Sequence, residues 1–478
     1  MSFNSYTYIL IFLPIVFFIY FIINKLNSNK LSQIFLIISS LFFYSHLEIN
    51  NLYLILASIF INYAGYLLLL KKKARKFTLG IFILINLTLL GYYKYYDFVL
   101  SNFFNLVSKD YTNKNLIIPL AISFFTFQQI AFLVEIYKKK IFKVDFINYT
   151  LFVVFFPQLI AGPIINFKDT YSQFSLKIKK IINIQNIKNG LILISFGLFK
   201  KVIIADYFSS IVNSSYNNIE NLTFLSSWIA SLSYTFQIYF DFSGYIDIAL
   251  GSALLFNIRL PINFNSPYKS LNIKEFWRCW HISLSNFLKR YIYIPLGGNK
   301  ISFTVTNINF LLTFIIGGFW HGAGWNFIIW GSLHGLALVF LNIFNKTSIK
   351  ISNILAWFIT FNFINITWIF FRVDSVNYAF IILKKMFGFE QIILPISIKN
   401  YINLNFIEYG NAFLTSFEVK KTIFYLLISL IITIFLPNNN RFLDYKKKNY
   451  TLSLSAGFAF VLAIVGINKI TTFIYFNF

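Results

Sequence analysis

The chain alternates long apolar runs with short polar breaks that carry lysine. Residues 8–23, 52–70, 77–93 and 191–205 are examples of the runs. A helix crosses a bilayer with about 20 apolar residues, or fewer when polar anchors flank it. Each run therefore predicts a spanning helix. Counted along the chain, they give roughly 11 to 13 transmembrane or re-entrant helices, the pattern of an all-α polytopic integral membrane protein. Residues 1–7 carry no basic side chain and no small-x-small site follows Ile23, so the first run reads as a retained helix and not as a cleaved signal.

The breaks set an orientation. Lys25 and Lys30 follow the first run. Lys71, Lys72, Lys73, Arg75 and Lys76 follow the third, and Lys138, Lys139 and Lys140 the fifth. With basic loops on the cytoplasmic side, the N-terminus and residues 48–51 and 97–114 lie outside. After residue 145 the pattern is less regular. Residues 152–165 are apolar but contain Pro157, Gly162 and Pro163, which predicts a broken or re-entrant segment buried against protein or lining a cavity. Residues 168–189 read as a Lys-rich amphipathic stretch on the cytoplasmic side. Lys446, Lys447 and Lys448 mark a last cytoplasmic loop, from which 452–467 carries the chain outward. The tail then sits at the outer face or folds back. Residues 386–420 form the longest polar loop. There is no internal repeat, and 1–478 reads as a single transmembrane domain.

Composition supports the membrane assignment. Hydrophobic residues make up 58% and charged residues only 12%, about half the charged share of a soluble domain. The single cysteine, Cys279, excludes intrachain disulfides and a Cys-based metal cluster; no metal is expected. A net charge of +25 would suit a nucleic-acid binder, but in a membrane chain Lys-rich loops meet anionic lipid. Lys, Asn, Ile, Phe and Tyr are abundant whereas Arg occurs six times. That bias towards AT-rich codons accounts for part of the basicity, and no nucleic-acid partner is expected.

Polar groups at membrane depth are costly and mark pairing or function. They are densest over about 236–335. Asp241, Ser243 and Asp247 interrupt an apolar run, and the two carboxylates read as interfacial or paired with Lys or Arg. Pro261 and Pro267 bracket Asn263, Asn265 and Ser266 in an ordered turn. Then comes Glu275-Phe-Trp-Arg-Cys-Trp-His281-Ile-Ser-Leu-Ser285. On one continuous helix, Trp277, His281 and Ser285 would share a face. His281 is either an interfacial hydrogen-bonding residue or a member of an active site. The segment 293–300, ending Gly297-Gly298-Asn299-Lys300, breaks the helix. Its glycines suit a tight turn or the close approach of a ligand, a phosphate among the options.

The densest signal is Ile316-Gly-Gly-Phe-Trp-His321-Gly-Ala-Gly-Trp-Asn326, followed by Trp330-Gly-Ser-Leu-His334-Gly335. Small residues let helices and substrates approach the imidazole, and histidine titrates where a general base is useful. The plainer reading, a packing histidine bonded to a carbonyl, is weakened by the flanking glycines, tryptophans and second histidine. His321 and His281 are the catalytic candidates. Trp320, Asn326, Ser285, Asn299 and Lys300 are the substrate-binding candidates.

With these segments in view, the sequence resembles the membrane-bound O-acyltransferase (MBOAT) family, in the bacterial branch of alginate and peptidoglycan O-acetyltransferase membrane subunits. The resemblance runs through Asn86-Leu-Thr-Leu-Leu-Gly-Tyr-Tyr-Lys94, Pro119-Leu-Ala-Ile-Ser-Phe-Phe-Thr-Phe-Gln128, Phe156-Pro-Gln-Leu-Ile-Ala-Gly-Pro163, Gly197-Leu-Phe-Lys-Lys-Val-Ile-Ile-Ala-Asp206, 277–298 and 317–335. Two departures stand out. Cys279 occupies a position where relatives often carry Arg, and Lys289-Arg290 replaces a common Arg-Asp, so no role of that Asp carries over.

The resemblance implies a ring of tilted helices around a polar tunnel, with His321 inside it and His281 along the same path. It implies acetyl-CoA as the cytoplasmic donor, no bound cofactor, and release of the acetyl group outside the bacterial inner membrane. The tail Phe473-x-Tyr475-x-x-Phe478 resembles an aromatic tail of envelope acylation systems in which the tyrosine carries the acyl group as a transient ester. In teichoic-acid D-alanylation that tail resembles a separate peptide; the bland alternative is an aromatic anchor. Tyr475 is thus a third catalytic candidate, and an extracytoplasmic SGNH-type acetyltransferase or esterase the expected partner, alongside membrane lipids. The AT-rich composition favours peptidoglycan as acceptor over alginate or another exopolysaccharide; teichoic-acid-type D-alanyl transfer is a further alternative. A different class of function is a transporter or flippase using Lys200, Lys201, Asp206 and Asp241, and a scaffold for an extracytoplasmic enzyme is a third.

Overall fold

A computed structural model describes the chain except for residues 27–28, 47, 72–73, 140–142, 161, 176–180, 390–392, 396–407, 411–415, 446–448, 468–472 and 478. Lys72, Lys73, Lys140, Lys446, Lys447, Lys448 and Phe478, and most of the 386–420 loop, lie outside the described residues. Within that loop Ile393–Pro395 pairs in parallel with Glu408–Gly410, Ile393 opposite Glu408. Apart from this short pair, the regular elements among the described residues are helices.

Among the described residues seven helices are long and apolar enough to cross a membrane: Thr7–Lys25, Asn50–Leu70, Arg75–Leu106, Phe224–Leu255, Phe303–His321, Trp325–Phe344 and Asn353–Arg372. Ile122–Tyr137 and Tyr450–Gly466 are shorter apolar helices. The protein is a multi-pass membrane protein. Several other apolar runs are cut into shorter helices where proline, glycine or polar side chains interrupt them. The predicted break over 152–165 is one such place. The helix Phe146–Val154 stops at Phe155 (φ −50°, ψ 110°), and Pro157 begins a single turn, Phe156–Leu159. Residues 151–156 are fully buried, as irregular backbone at membrane depth must be.

The fold divides into two compact units. The first comprises Met1–Phe199, Phe242–Asn263 and Asn439–Phe478. Its central crossing sets the helix Ile184–Leu198 against the second half of Phe224–Leu255 through two glycine pairs. A Cβ on Gly190 would lie 2.8 Å from the Gly251 carbonyl oxygen, and one on Gly197 would lie 2.7 Å from that of Gly244. Only hydrogen at these positions lets the two backbones touch. Around the crossing the Tyr8 hydroxyl donates to Ser252 Oγ (2.7 Å) and the Asn439 amide to Asp247 Oδ2 (2.7 Å).

The second unit comprises Lys200–Asp241 and Phe264–Asn438. The first half of Phe224–Leu255 is tied to Asn353–Arg372 by Asn365, which accepts from Thr235 Oγ1 (2.7 Å) and donates to Ser231 Oγ (3.0 Å). The predicted ordered turn before residue 268 is present. Ser266 adopts a left-handed conformation, Pro267–Lys269 makes a 3₁₀ turn, and the Tyr268 hydroxyl donates to the Thr235 carbonyl (2.6 Å). Phe303–His321 and Trp325–Phe344 form a helical hairpin joined by residues 322–324.

Candidate active site

The hairpin is closed by glycine. A Cβ on Gly331 would lie 2.2 Å from the Phe314 carbonyl oxygen, and one on Gly318 would lie 2.3 Å from that of Phe327. This contact brings His321, the last residue of the first helix, beside Trp330 in the second, with ring centroids 5.1 Å apart. Trp320 (4.9 Å) and Phe371 (5.1 Å) complete the packing around the His321 ring, which is buried.

His281 reaches the same cluster of rings by a different route. The continuous helix expected over 275–285 is not formed. Ile273–Cys279 ends, Trp280 is extended, and a second helix, Ile282–Leu288, begins after His281, whose backbone is left-handed (φ 41°, ψ 53°). Trp277 and Ser285 therefore do not share a helix face with His281. Instead the Ser285 amide donates to the His281 carbonyl (3.0 Å) and its hydroxyl to the Trp280 carbonyl (3.3 Å). A non-glycine residue in this conformation is uncommon and costs about 1–3 kcal/mol, so packing must hold it. The ring is fully buried, with its centroid 6.5 Å from that of His321 and 6.4 Å from that of Trp320. At that separation the two imidazoles are too distant to hydrogen-bond each other, yet close enough for one hydroxyl to reach both.

The third histidine stands behind them. His334 Nδ1 accepts from Trp277 Nε1 (3.2 Å), so its proton is on Nε2 in this arrangement. Trp330 lies between the two, 4.9 Å from His334 and 5.1 Å from His321. The other candidates divide. Trp320 packs against both histidine rings. Asn326 donates to the carbonyls of Phe370 (3.3 Å) and Val373 (2.7 Å), so its amide holds the end of the Asn353–Arg372 helix. Ser285 and Asn299 line a cavity of about 520 Å³ whose inner wall includes Trp277. Lys300 is not among its lining residues; its amide closes the turn onto Gly297 (3.2 Å). That turn takes positive φ at Gly297 (104°) and Gly298 (57°), and Asn309 donates to the carbonyls of Leu296 (3.1 Å) and Gly298 (2.9 Å).

Sequence reasoning missed Phe371, which is apolar among apolar residues and gave no signal. It also missed the cavity cations Lys274 and Arg278, whose spacing of four on a helix places them on one face and would have found them.

One cluster of buried charges in the second unit is paired. Lys201 Nζ lies 2.6 Å from Asp241 Oδ1 and 2.9 Å from Asp206 Oδ1, as expected for Asp241. The carboxylates that a transport reading would set along a substrate path hold this ammonium instead. Phe199–Ala205, which carries Lys201, is π-helical, a local widening frequent near functional sites. In the first unit, Tyr475 sits on the 3₁₀ turn Ile474–Asn477 and is folded back into the protein. It is 3% exposed, with its ring 4.2 Å from Phe242, while Phe473 stacks on Tyr245 at 4.2 Å. An aromatic anchor would face lipid; this ring does not. Among the described residues no group of three His, Cys, Asp or Glu side chains is arranged to hold a metal.

Comparison with known proteins adds independent findings. The profile of the "MBOAT, membrane-bound O-acyltransferase family" matches residues 60–380. A Helicobacter pylori protein named "Peptidoglycan O-acetyltransferase" is 41% identical, over 100% of this chain and 97% of its own. A Pseudomonas aeruginosa protein named "Probable alginate O-acetylase" is 33% identical, over 87% of this chain and 80% of its own. A Streptococcus thermophilus "Teichoic acid D-alanyltransferase" is 31% identical, over 46% of this chain and 56% of its own.

Proposed function

The chain belongs to the membrane-bound O-acyltransferase family and is an acyltransferase, and from that premise we propose that it moves acetyl groups from cytoplasmic acetyl-CoA across the bacterial inner membrane for O-acetylation of an envelope glycan. Peptidoglycan is the favoured acceptor. The relative bearing that name covers both chains almost end to end at 41% identity, against 33% for the alginate relative and partial coverage for the teichoic-acid one. Alginate or another exopolysaccharide is the second reading.

The observation that carries the reaction is the pair of buried imidazoles, His281 and His321, with centroids 6.5 Å apart. His321 takes the proton of an acceptor hydroxyl held between the two rings. The oxygen attacks the thioester carbonyl, the C–S bond breaks, and the departing thiolate takes the proton back from the imidazolium. His281 orients the hydroxyl and shares the developing charge. In the fuller scheme the first acceptor is the Tyr475 phenol. Its ester is then attacked by the hydroxyl of an SGNH-type partner, which passes the acetyl group to the glycan. Each carrier releases its proton and regains it on deacylation, so no further reactant is needed.

The test is acetyl transfer by membranes containing His321→Ala, with labelled acetyl-CoA as donor. Loss of one general base costs typically 10²–10⁴-fold. A variant that acetylates the glycan at the parental rate would overturn the reading. Label on Tyr475 in the intact protein, lost in Tyr475→Phe together with glycan acetylation, tests the relay; normal acetylation by that variant rules it out.

A further inference from the structure

In the first unit, the helix Arg75–Leu90 presents a face that the acyl-transfer chemistry does not use. Between this helix and Asn50–Leu70 runs a furrow of about 520 Å³, walled by Leu54, Ile61, Ile85 and Leu89. One end of it opens into a hollow of about 770 Å³ lined by Arg75, Lys76, Phe77 and Gly80. Leu84 lines both, so the two are continuous. Residues 77, 80, 81, 84 and 88 form one stripe of the helix. From Phe77 to Leu89 the wall rises about 18 Å, close to the roughly 15 Å of one hydrocarbon leaflet.

The floor of the furrow is polar but self-satisfied. Asn86 donates to Asn62 Oδ1 (2.7 Å) and to the Phe82 carbonyl (2.7 Å). Asn62 donates to Asn86 Oδ1 (3.2 Å) and to the Ser58 carbonyl (2.9 Å). Both amides have spent their hydrogens, so an occupant meets hydrocarbon and no amide donor. The charge sits at one end. Lys71, Lys72, Lys73, Arg75 and Lys76 fall in a stretch with no acid between Glu48 and Asp97. Arg75 is used structurally, donating to the carbonyls of Leu69 (3.0 Å), Ile136 (2.9 Å) and Tyr137 (3.2 Å). Lys76 is exposed and has no ion-pair or hydrogen-bond partner among the described residues. An apolar furrow one leaflet deep, with uncompensated positive charge at its end, is complementary to a lipid with an anionic headgroup. A transmembrane helix fits it less well. One turn either side of Gly80 stand Lys76 and Leu84, so the small-xxx-small pattern of close helix contacts is missing there.

We propose that this furrow seats one anionic phospholipid. Its phosphate lies against Lys76, in the field of Arg75, and an acyl chain runs along Ile81, Leu84 and Ile85 towards Leu89. By the positive-inside rule the basic loop over 71–76 is cytoplasmic, the side on which membranes carry anionic lipid. None of these residues takes part in acyl transfer, so the site does not depend on that reading.

The experiment uses the full chain purified in an uncharged detergent, with retained phosphatidylglycerol and phosphatidylethanolamine counted by native mass spectrometry. The variants are Lys76→Gln, which removes the headgroup contact, and Leu84→Trp, which fills the furrow. Lys350→Gln and Leu454→Trp, at exposed positions elsewhere, are the controls, and gel filtration with helical circular dichroism checks the fold. A photo-crosslinking residue at Ile85 reports what lies in the furrow. The parent should retain phosphatidylglycerol in preference to phosphatidylethanolamine. Lys76→Gln should lower retained phosphatidylglycerol about fivefold, Leu84→Trp should lower both lipids, and Ile85 should cross-link to lipid. Parental retention of phosphatidylglycerol by either variant overturns the proposal, as does an equal loss in the controls or no preference for the anionic lipid in the parent. A cross-link from Ile85 to a second copy of the chain or to another protein also overturns it, because the furrow is then a helix-docking face. The readout is lipid binding, so its failure leaves the His321→Ala result standing, and failure of that test leaves this one intact.

Discussion

Replacing Gly331 with alanine adds one methyl group where the active-site hairpin has no room for it. The new Cβ would lie 2.2 Å from the Phe314 carbonyl oxygen and 3.1 Å from Gly318 Cα, whereas ordinary contact begins at 3.4 Å. Both neighbours are backbone and cannot rotate away, so the helices must part by about 1 Å. Overpacking of this kind costs about 1–3 kcal/mol, and the better helix propensity of alanine returns roughly 1 kcal/mol. Net destabilisation is therefore modest, at most about 2 kcal/mol. The effect on chemistry is larger. His321 and Trp330 meet across this contact at 5.1 Å, and a misplacement of about 1 Å costs on the order of 100-fold in rate. The expected result is a protein that inserts and purifies normally, unfolds slightly earlier on heating, and transfers labelled acetyl groups about 100-fold more slowly. Gly80→Ala is the control. It lies in Arg75–Leu90 with nothing within 4 Å of the added carbon, so it should be neutral or slightly stabilising and fully active. Parental transfer by Gly331→Ala, or equal damage from Gly80→Ala, would refute the reasoning.

Two further outcomes follow from buried polar groups. Lys201→Met leaves Asp241, with a side chain only 2% exposed, without its counter-ion and should destabilise by about 3–5 kcal/mol. Adding Asp241→Asn should recover much of that loss in thermal unfolding, and equal stability of the single and double variants would contradict the pairing. For His334, a double-mutant cycle with Trp277→Phe and His334→Phe should show a coupling of about 1 kcal/mol, the size of one net hydrogen bond; strictly additive losses would show that the 3.2 Å contact contributes nothing.

The parts of this structure legible in the sequence are those governed by one-dimensional rules. Long apolar runs became helices because a chain in lipid must satisfy its own backbone. Pro157 and Gly162 announced a break, and Pro261 and Pro267 an ordered turn. His321 was legible because its glycines and tryptophans are contiguous. His281 was expected in a geometry that the structure does not show. The spacing of Trp277, His281 and Ser285 suits one helix, and nothing local signals that Trp280 turns extended and His281 left-handed. Tertiary packing imposes that break, so a periodicity argument cannot see it. Phe371 and the pairing of Lys201 with Asp241 depend on segments far apart in sequence, and only folding brings them together.

The left-handed backbone at His281 also bears on how this position can change over generations. A histidine codon is one base away from codons for Asn, Asp, Gln, Tyr, Leu, Arg and Pro. Of these, only Asn and Asp readily adopt φ near the 41° seen here, and neither brings a ring that ionises near neutrality. The other five must distort the chain to enter. Every single-base step away from His281 therefore gives up either the backbone or the imidazole. Glycine, the one residue that would keep the turn at no conformational cost, is two base changes away. The position is a dead end in mutational space, and its histidine is held in place by the shape of the main chain as much as by the chemistry of the ring.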